Sequence, residues 1–155
     1  MNRFILVFLA FFVGIVAAKG VSGQEVAQAL QELGYELKLE KESGNGYPLI
    51  FLQTKKVNAM LIFYEENPFS EGYEALQLAT SLRFDPPPSL EGINAWNARS
   101  RFGKAALMED GSIMFSSDLD LAPVCDLKRS LNTLVRNFER SVLVFYGEYH
   151  VGRIK

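Results

Sequence analysis

The chain has one cysteine, one histidine and one tryptophan in 155 residues, and each scarcity removes a class of chemistry. A single cysteine excludes an intrachain disulfide and a cysteine-rich zinc site. A single histidine excludes the paired-histidine metal motifs, and no Ser, His and Asp set is spelled out in local sequence. An excess of one charge is missing too. Sixteen lysines and arginines stand against 18 aspartates and glutamates, a formal net charge of −2, so nothing global draws the chain to nucleic acid. There is no internal repeat, low-complexity tract or long charge run. Apolar side chains are plentiful, 48 % against 22 % charged, which is ordinary for one globular domain.

The first 18 residues read as a separate unit. Asn2 and Arg3 form a short positive start, and Phe4 to Ala18 is an uncharged, almost wholly apolar run. It falls short of the roughly 20 residues a membrane span needs, and a signal-peptide core is about 7–15. An uncleaved N-terminal anchor is the alternative. Small residues suited to cleavage occur at Val16-Ala17-Ala18 and again at Val21-Ser22-Gly23. Ser22 and Glu25 have the spacing of a capping box, which a cut after Gly23 would break. The expected mature chain therefore starts at Lys19, forms a single domain over 19–155, and is periplasmic or secreted, off the membrane once the signal is cut. No cysteine for lipidation follows the run.

Periodicity gives the order of elements. Gln24–Leu33 has helical spacing and stops at Gly34. Tyr35–Glu42 alternates like a half-buried strand. Pro48–Gln53 and Val57–Tyr64 are near-continuous apolar runs, expected to be a hairpin of central strands covered on both faces. Tyr73–Phe84 is a fourth strand, halted by Asp85-Pro86-Pro87-Pro88. Ser89 caps a helix over about Leu90–Phe102, and Gly103 ends it. Lys104–Met108 and Ile113–Leu121 form a hairpin around Glu109-Asp110-Gly111-Ser112. A last helix covers about Asp126–Tyr146. The order α-β-β-β-β-α-β-β-α predicts an α+β fold, a mainly antiparallel sheet with helices packed on it.

Several residues invite a functional reading. On the second helix, Leu90, Ile93, Asn94, Asn97 and Arg101 fall on one face, so two amides and a guanidinium share a stripe with core-type residues. The asparagines either bond backbone and fix the helix to the sheet, or they line a polar cleft in which Arg101 holds an anion. Trp96 reads as a core or interface anchor, since Arg99, Arg101 and Lys104 are too few for a single-strand nucleic-acid groove. Asp118 and Asp120, with Ser116 beside them, lack the oxygen-rich glycine loop of a calcium site and read as a solvated face. Cys125 reads as a buried, inert thiol, with a cross-link between two chains as the alternative. His150 is expected on the surface of a polar tail. Val142–Tyr146 is apolar all round, so it is either buried in a groove or packed on another chain. Homodimer contacts through Val144, Phe145 or Tyr146 follow from the second choice.

The stretch Leu90-Glu91-Gly92-Ile93-Asn94-Ala95-Trp96-Asn97 and the following Arg101-Phe102-Gly103-Lys104-Ala105 resemble the YbjN family of bacterial sensory transduction regulators. The acidic turn Glu109-Asp110-Gly111, the strand end Asp118-Leu119-Asp120-Leu121, and Gly34-Tyr35 after the opening helix resemble it as well. The resemblance spans about Val21 to Phe145. One departure is clear: many members carry a cysteine pair after the third-strand Phe-Tyr, whereas Phe63-Tyr64 is followed here by Glu65-Glu66-Asn67-Pro68. Any redox or metal role of that pair does not transfer. The resemblance implies a fold similar to type III secretion chaperones, which often dimerise and bind protein segments. It implies no catalytic residue and no cofactor. The expected function is a non-enzymatic, exported regulator with a protein or peptide partner, Asn94, Trp96, Asn97 and Arg101 being the candidate binding residues. The alternative is a small-ligand sensor built around Asn94, Asn97 and Arg101.

Overall fold

The computed structural model describes residues 19–68, 70–121 and 124–151. The expected signal peptide, residues 1–18, lies outside them. Nine elements follow in chain order: α1 (Gly23–Glu32), β1 (Glu36–Lys41), β2 (Pro48–Gln53), β3 (Asn58–Glu66), β4 (Tyr73–Leu82), α2 (Leu90–Arg99), β5 (Lys104–Leu107), β6 (Ile113–Asp120) and α3 (Leu127–Val151). This is the α+β order expected from the sequence. The six strands form one fully antiparallel sheet in the order β1-β2-β3-β4-β6-β5. The chain leaves β4 through α2 and returns by the β5–β6 hairpin, so β6 docks beside β4 and β5 becomes an edge.

Local chemistry sets the boundaries. Ser22 accepts from the Glu25 amide at 3.2 Å and Glu25 accepts from the Ser22 amide at 2.8 Å, a complete capping box. Just before it, Val21 exchanges two backbone hydrogen bonds with Tyr73, of 3.0 and 2.9 Å, and so extends the sheet margin. The β5–β6 turn is held by Asp110, whose Oδ1 accepts from both the amide and the hydroxyl of Ser112.

All three helices pack on one side of the sheet. The core there joins Val26 and Leu30 of α1, Ile93 and Trp96 of α2, and Leu131, Val135, Phe138, Val142 and Phe145 of α3 to Ile50, Leu61, Phe63, Leu76, Leu78, Ile113 and Phe115 of the sheet. Aromatic edges dominate the junction: Phe115 lies 5.8 Å from Phe138 and 5.4 Å from Phe145, centroid to centroid. Among the described residues, no helix is long and apolar enough to cross a membrane.

Four details depart from the sequence reading. First, among the described residues β2 and β3 are covered on one face only, because every described helix lies on the other side from Leu49, Phe51, Met60 and Ile62. Second, α2 ends at Arg99. Ser100 is extended (φ −79°, ψ 129°), and the chain turns to lay β5 along β6. Arg101 therefore leaves the helical stripe it was expected to share with Asn94 and Asn97. Third, α3 runs through Gly147 to Val151. A helical glycine costs about 1 kcal/mol. Tyr149 offsets it, donating to the Gly92 carbonyl at 2.6 Å and packing 4.7 Å from Phe145. His150 thus sits exposed on the last helical turn, stacked on Tyr146, rather than in a tail. Fourth, Cys125 is exposed, not buried. It lies in the turn before α3, where Asp126 accepts from the Arg129 amide and starts the helix.

Candidate functional site

The asparagine–tryptophan block is a joint. Asn97 presents its side-chain amide to the outer edge of β5. Its Nδ2 donates to the Ala105 carbonyl at 2.9 Å, and its Oδ1 accepts from the Ala105 amide at 2.9 Å. One side chain therefore imitates a neighbouring strand and closes an edge that would otherwise offer free backbone groups. Lys104 reaches back from β5 to the carbonyls of Asn97 and Ser100 at the end of α2, at 2.9 and 3.3 Å. Gly103 completes the joint. Its φ is +94°, and a Cβ there would stand 2.4 Å from Phe115 Cε1. The Arg-Phe-Gly-Lys-Ala segment thus has a mechanical reason for its glycine.

Trp96 is buried behind this joint, 5.1 Å edge-on to Phe145 and 6.0 Å from Phe115. Its indole N–H finds no acceptor among the described residues. Arg99 covers the ring from outside at 5.5 Å and bonds Glu148, whose carboxylate holds the guanidinium above its ordinary pKa. Asn94 and Arg101 are both exposed. The four residues singled out by sequence are neighbours along the chain but do not converge on one cavity: Trp96 faces the core, Asn97 faces β5, and Asn94 and Arg101 face solvent.

The apolar end of α3 divides in the same manner. Phe145 is fully buried by its own chain, while Val144 is 54 % and Tyr146 40 % exposed. Asp118 accepts from Gln77 of the neighbouring strand at 2.8 Å. Asp118 and Asp120 are exposed on the sheet face turned away from the helices. Among the described residues, no group of three or more His, Cys, Asp and Glu side chains is placed to hold a metal ion.

That uncovered face is the most unusual surface of the molecule. The strand registers fix two adjacent rows across it. One reads Lys38, Phe51, Met60, Ala79, Ser116 and Lys104; the next reads Glu40, Leu49, Ile62, Gln77 and Asp118. Its centre is therefore apolar and its margins are charged. An open antiparallel face normally alternates to polar residues. Ala79 is fully buried among its neighbours, and a groove of about 550 Å³ runs over Phe51, Met60 and Ala79, bounded by Lys38, Gln53, Asn58 and Ser81. Phe51 in its lining is 39 % exposed, and Tyr64, further along β3 on the same face, is 41 % exposed. Burial, then the carboxylates of Asp118 and Glu42, pushes the Tyr64 phenol above its ordinary pKa, so the hydroxyl keeps its proton.

Sequence reasoning did not single out this surface. The signal was present, because β2 and β3 are apolar at odd and even positions alike. Such runs mean two covered faces, and the described residues cover only one.

Fold and surface together define a small α+β protein whose described helices cover one side of the sheet and leave an apolar face on the other. The chain belongs to the YbjN family, described as "putative bacterial sensory transduction regulator", whose match spans residues 22–146. No curated protein matches the chain.

Proposed function

We propose that this protein is a non-catalytic, exported regulator that acts by binding a protein or peptide partner on the uncovered face of its sheet. One observation carries the reading: Leu49, Phe51, Met60 and Ile62 form an apolar centre that none of the described helices covers, ringed by Lys38, Glu40 and Asp118. An apolar patch with a charged rim is the composition of an interaction surface. The regulatory description of the family agrees with it.

Export rests on the sequence of residues 1–18. A mature chain starting at Lys19 keeps the Val21–Tyr73 pairing and the Ser22 cap, and a start at Gln24 would remove both. The sensor reading around Asn94, Asn97 and Arg101 has less support, because both polar atoms of the Asn97 amide are engaged with Ala105.

The test compares tagged wild-type protein with Phe51→Asp and Arg101→Ala after purification from bacterial envelope extract. Proteins that accompany the wild type should be lost from Phe51→Asp and retained by Arg101→Ala, both variants keeping the wild-type circular dichroism. Loss from Arg101→Ala alone would overturn the assignment and favour the cleft.

A further inference from the structure

We propose that the uncovered sheet face pairs with a second copy of this chain, about a twofold axis that lies between the two sheets and runs across the strands. The inference rests on the partner-binding reading of that face and names its resting occupant. A partner protein would then act by displacing the second copy.

The two rows described above are complementary when one is turned over onto the other. An axis between them sets Lys38 against Glu40 of the second copy, Phe51 against Leu49, Met60 against Ile62, and Ser116 against Asp118. Symmetry repeats every one of these pairs, as an isologous contact requires. Lys38 already pairs with Glu40 of its own chain, so two such ion pairs would meet head to tail at the β1 margin, while apolar side chains meet apolar ones in the middle. The other simple axis, parallel to the strands, would place the Asp118 carboxylate over Leu49, a charge against an apolar side chain. Charge therefore selects between the two.

Size agrees. Six strands about 4.8 Å apart, with about six residues each at about 3.3 Å, make a face of roughly 550 Å² in projection. Side-chain relief raises the accessible area above the projection, towards the roughly 800 Å² per partner of a standard interface. The geometry is that of two antiparallel sheets packed face to face about 10 Å apart.

Light scattering coupled to size-exclusion chromatography, from 1 to 100 µM, tests this with the purified chain starting at Lys19. The wild type should run as a dimer at the upper concentrations. Phe51→Asp should be a folded monomer, since Phe51 lies outside the helical core. Lys38→Glu should weaken pairing at least tenfold by gathering four carboxylates at the β1 margin, with the wild-type circular dichroism retained although the Lys38–Glu40 pair within each chain is lost. Lys38→Glu with Glu40→Lys should restore it, because the exchange recreates every opposite-charge pair. A wild type monomeric at 100 µM overturns self-pairing and leaves the partner reading standing. A dimer that survives Phe51→Asp but dissociates in Val144→Asp overturns it in favour of the α3 end. A double variant no better than Lys38→Glu overturns the axis.

Discussion

Replacing Asn97 with alanine should loosen the joint between α2 and β5 without emptying any ligand site. The side chain makes two hydrogen bonds of 2.9 Å to the amide and carbonyl of Ala105. A typical intramolecular hydrogen bond contributes about 0.5–1.5 kcal/mol net. Because β5 is an edge strand, water can reach the groups left behind, so the expected loss is about 2 kcal/mol rather than two full desolvation penalties. For a domain of this size that lowers the melting temperature by about 4–8 °C. Asn97→Asp is the sharper probe. Its carboxylate could still accept from the Ala105 amide, but its second oxygen would face the Ala105 carbonyl, acceptor against acceptor. It should therefore be at least as unstable as the alanine variant at neutral pH. Urea unfolding followed by circular dichroism measures both. An alanine variant within 0.5 kcal/mol of the wild type, or an aspartate variant as stable as the wild type, would refute the strand-mimicking role.

Gly103→Ala should cost about 3 kcal/mol or more, since it combines a positive φ with a Cβ driven into the Phe115 ring; thermal melting measures it. Trp96→Phe should lie within about 1.5 kcal/mol of the wild type in urea unfolding, because the lost ring area is offset by removal of an unsatisfied N–H, whereas Trp96→Ala should cost about 3–5 kcal/mol. The Ser22 amide and hydroxyl hold the Glu25 carboxyl below its ordinary pKa. Its contribution is therefore present above the unfolded carboxylate range, about pH 4.3, and is lost as the pH falls through the lower folded value. A pH series of melting temperatures should show Glu25→Gln losing less than the wild type below that range, by a small margin, because the group is largely solvated. Phe145→Asp should unfold the protein rather than change its assembly state, since the ring is fully buried by its own chain; circular dichroism beside light scattering separates the two.

Much of the fold was legible because period and punctuation agree along this chain. Ser22 with Glu25, Gly34, the proline run after Asp85, and Asp110-Gly111 each mark an element end that the structure keeps. Less was legible where the outcome depends on partners distant in sequence. Nothing in the spacing of α2 says that Asn97 will meet Ala105 across a turn, or that the helix must stop at Arg99 to deliver β5. The extension of α3 past Gly147 depends on Tyr149 finding the Gly92 carbonyl, 57 positions away. The apolar runs of β2 and β3 called for cover on two faces, but no local pattern tells a face covered in cis from one left open. The candidate residues of α2 were found by chemistry and prove to be spread over core, joint and solvent, because a helix stripe drawn through Arg101 assumes a turn of helix that the chain does not make.

The central claim is that the uncovered sheet face, not the helical side, is where this protein binds. A photo-crosslinking amino acid placed at position 51 on that face, or at position 140 on the exposed side of α3, tests it directly in intact bacteria. Adducts heavier than the single chain should form from position 51 and not from position 140. Adducts from position 140 with none from position 51 would contradict the account.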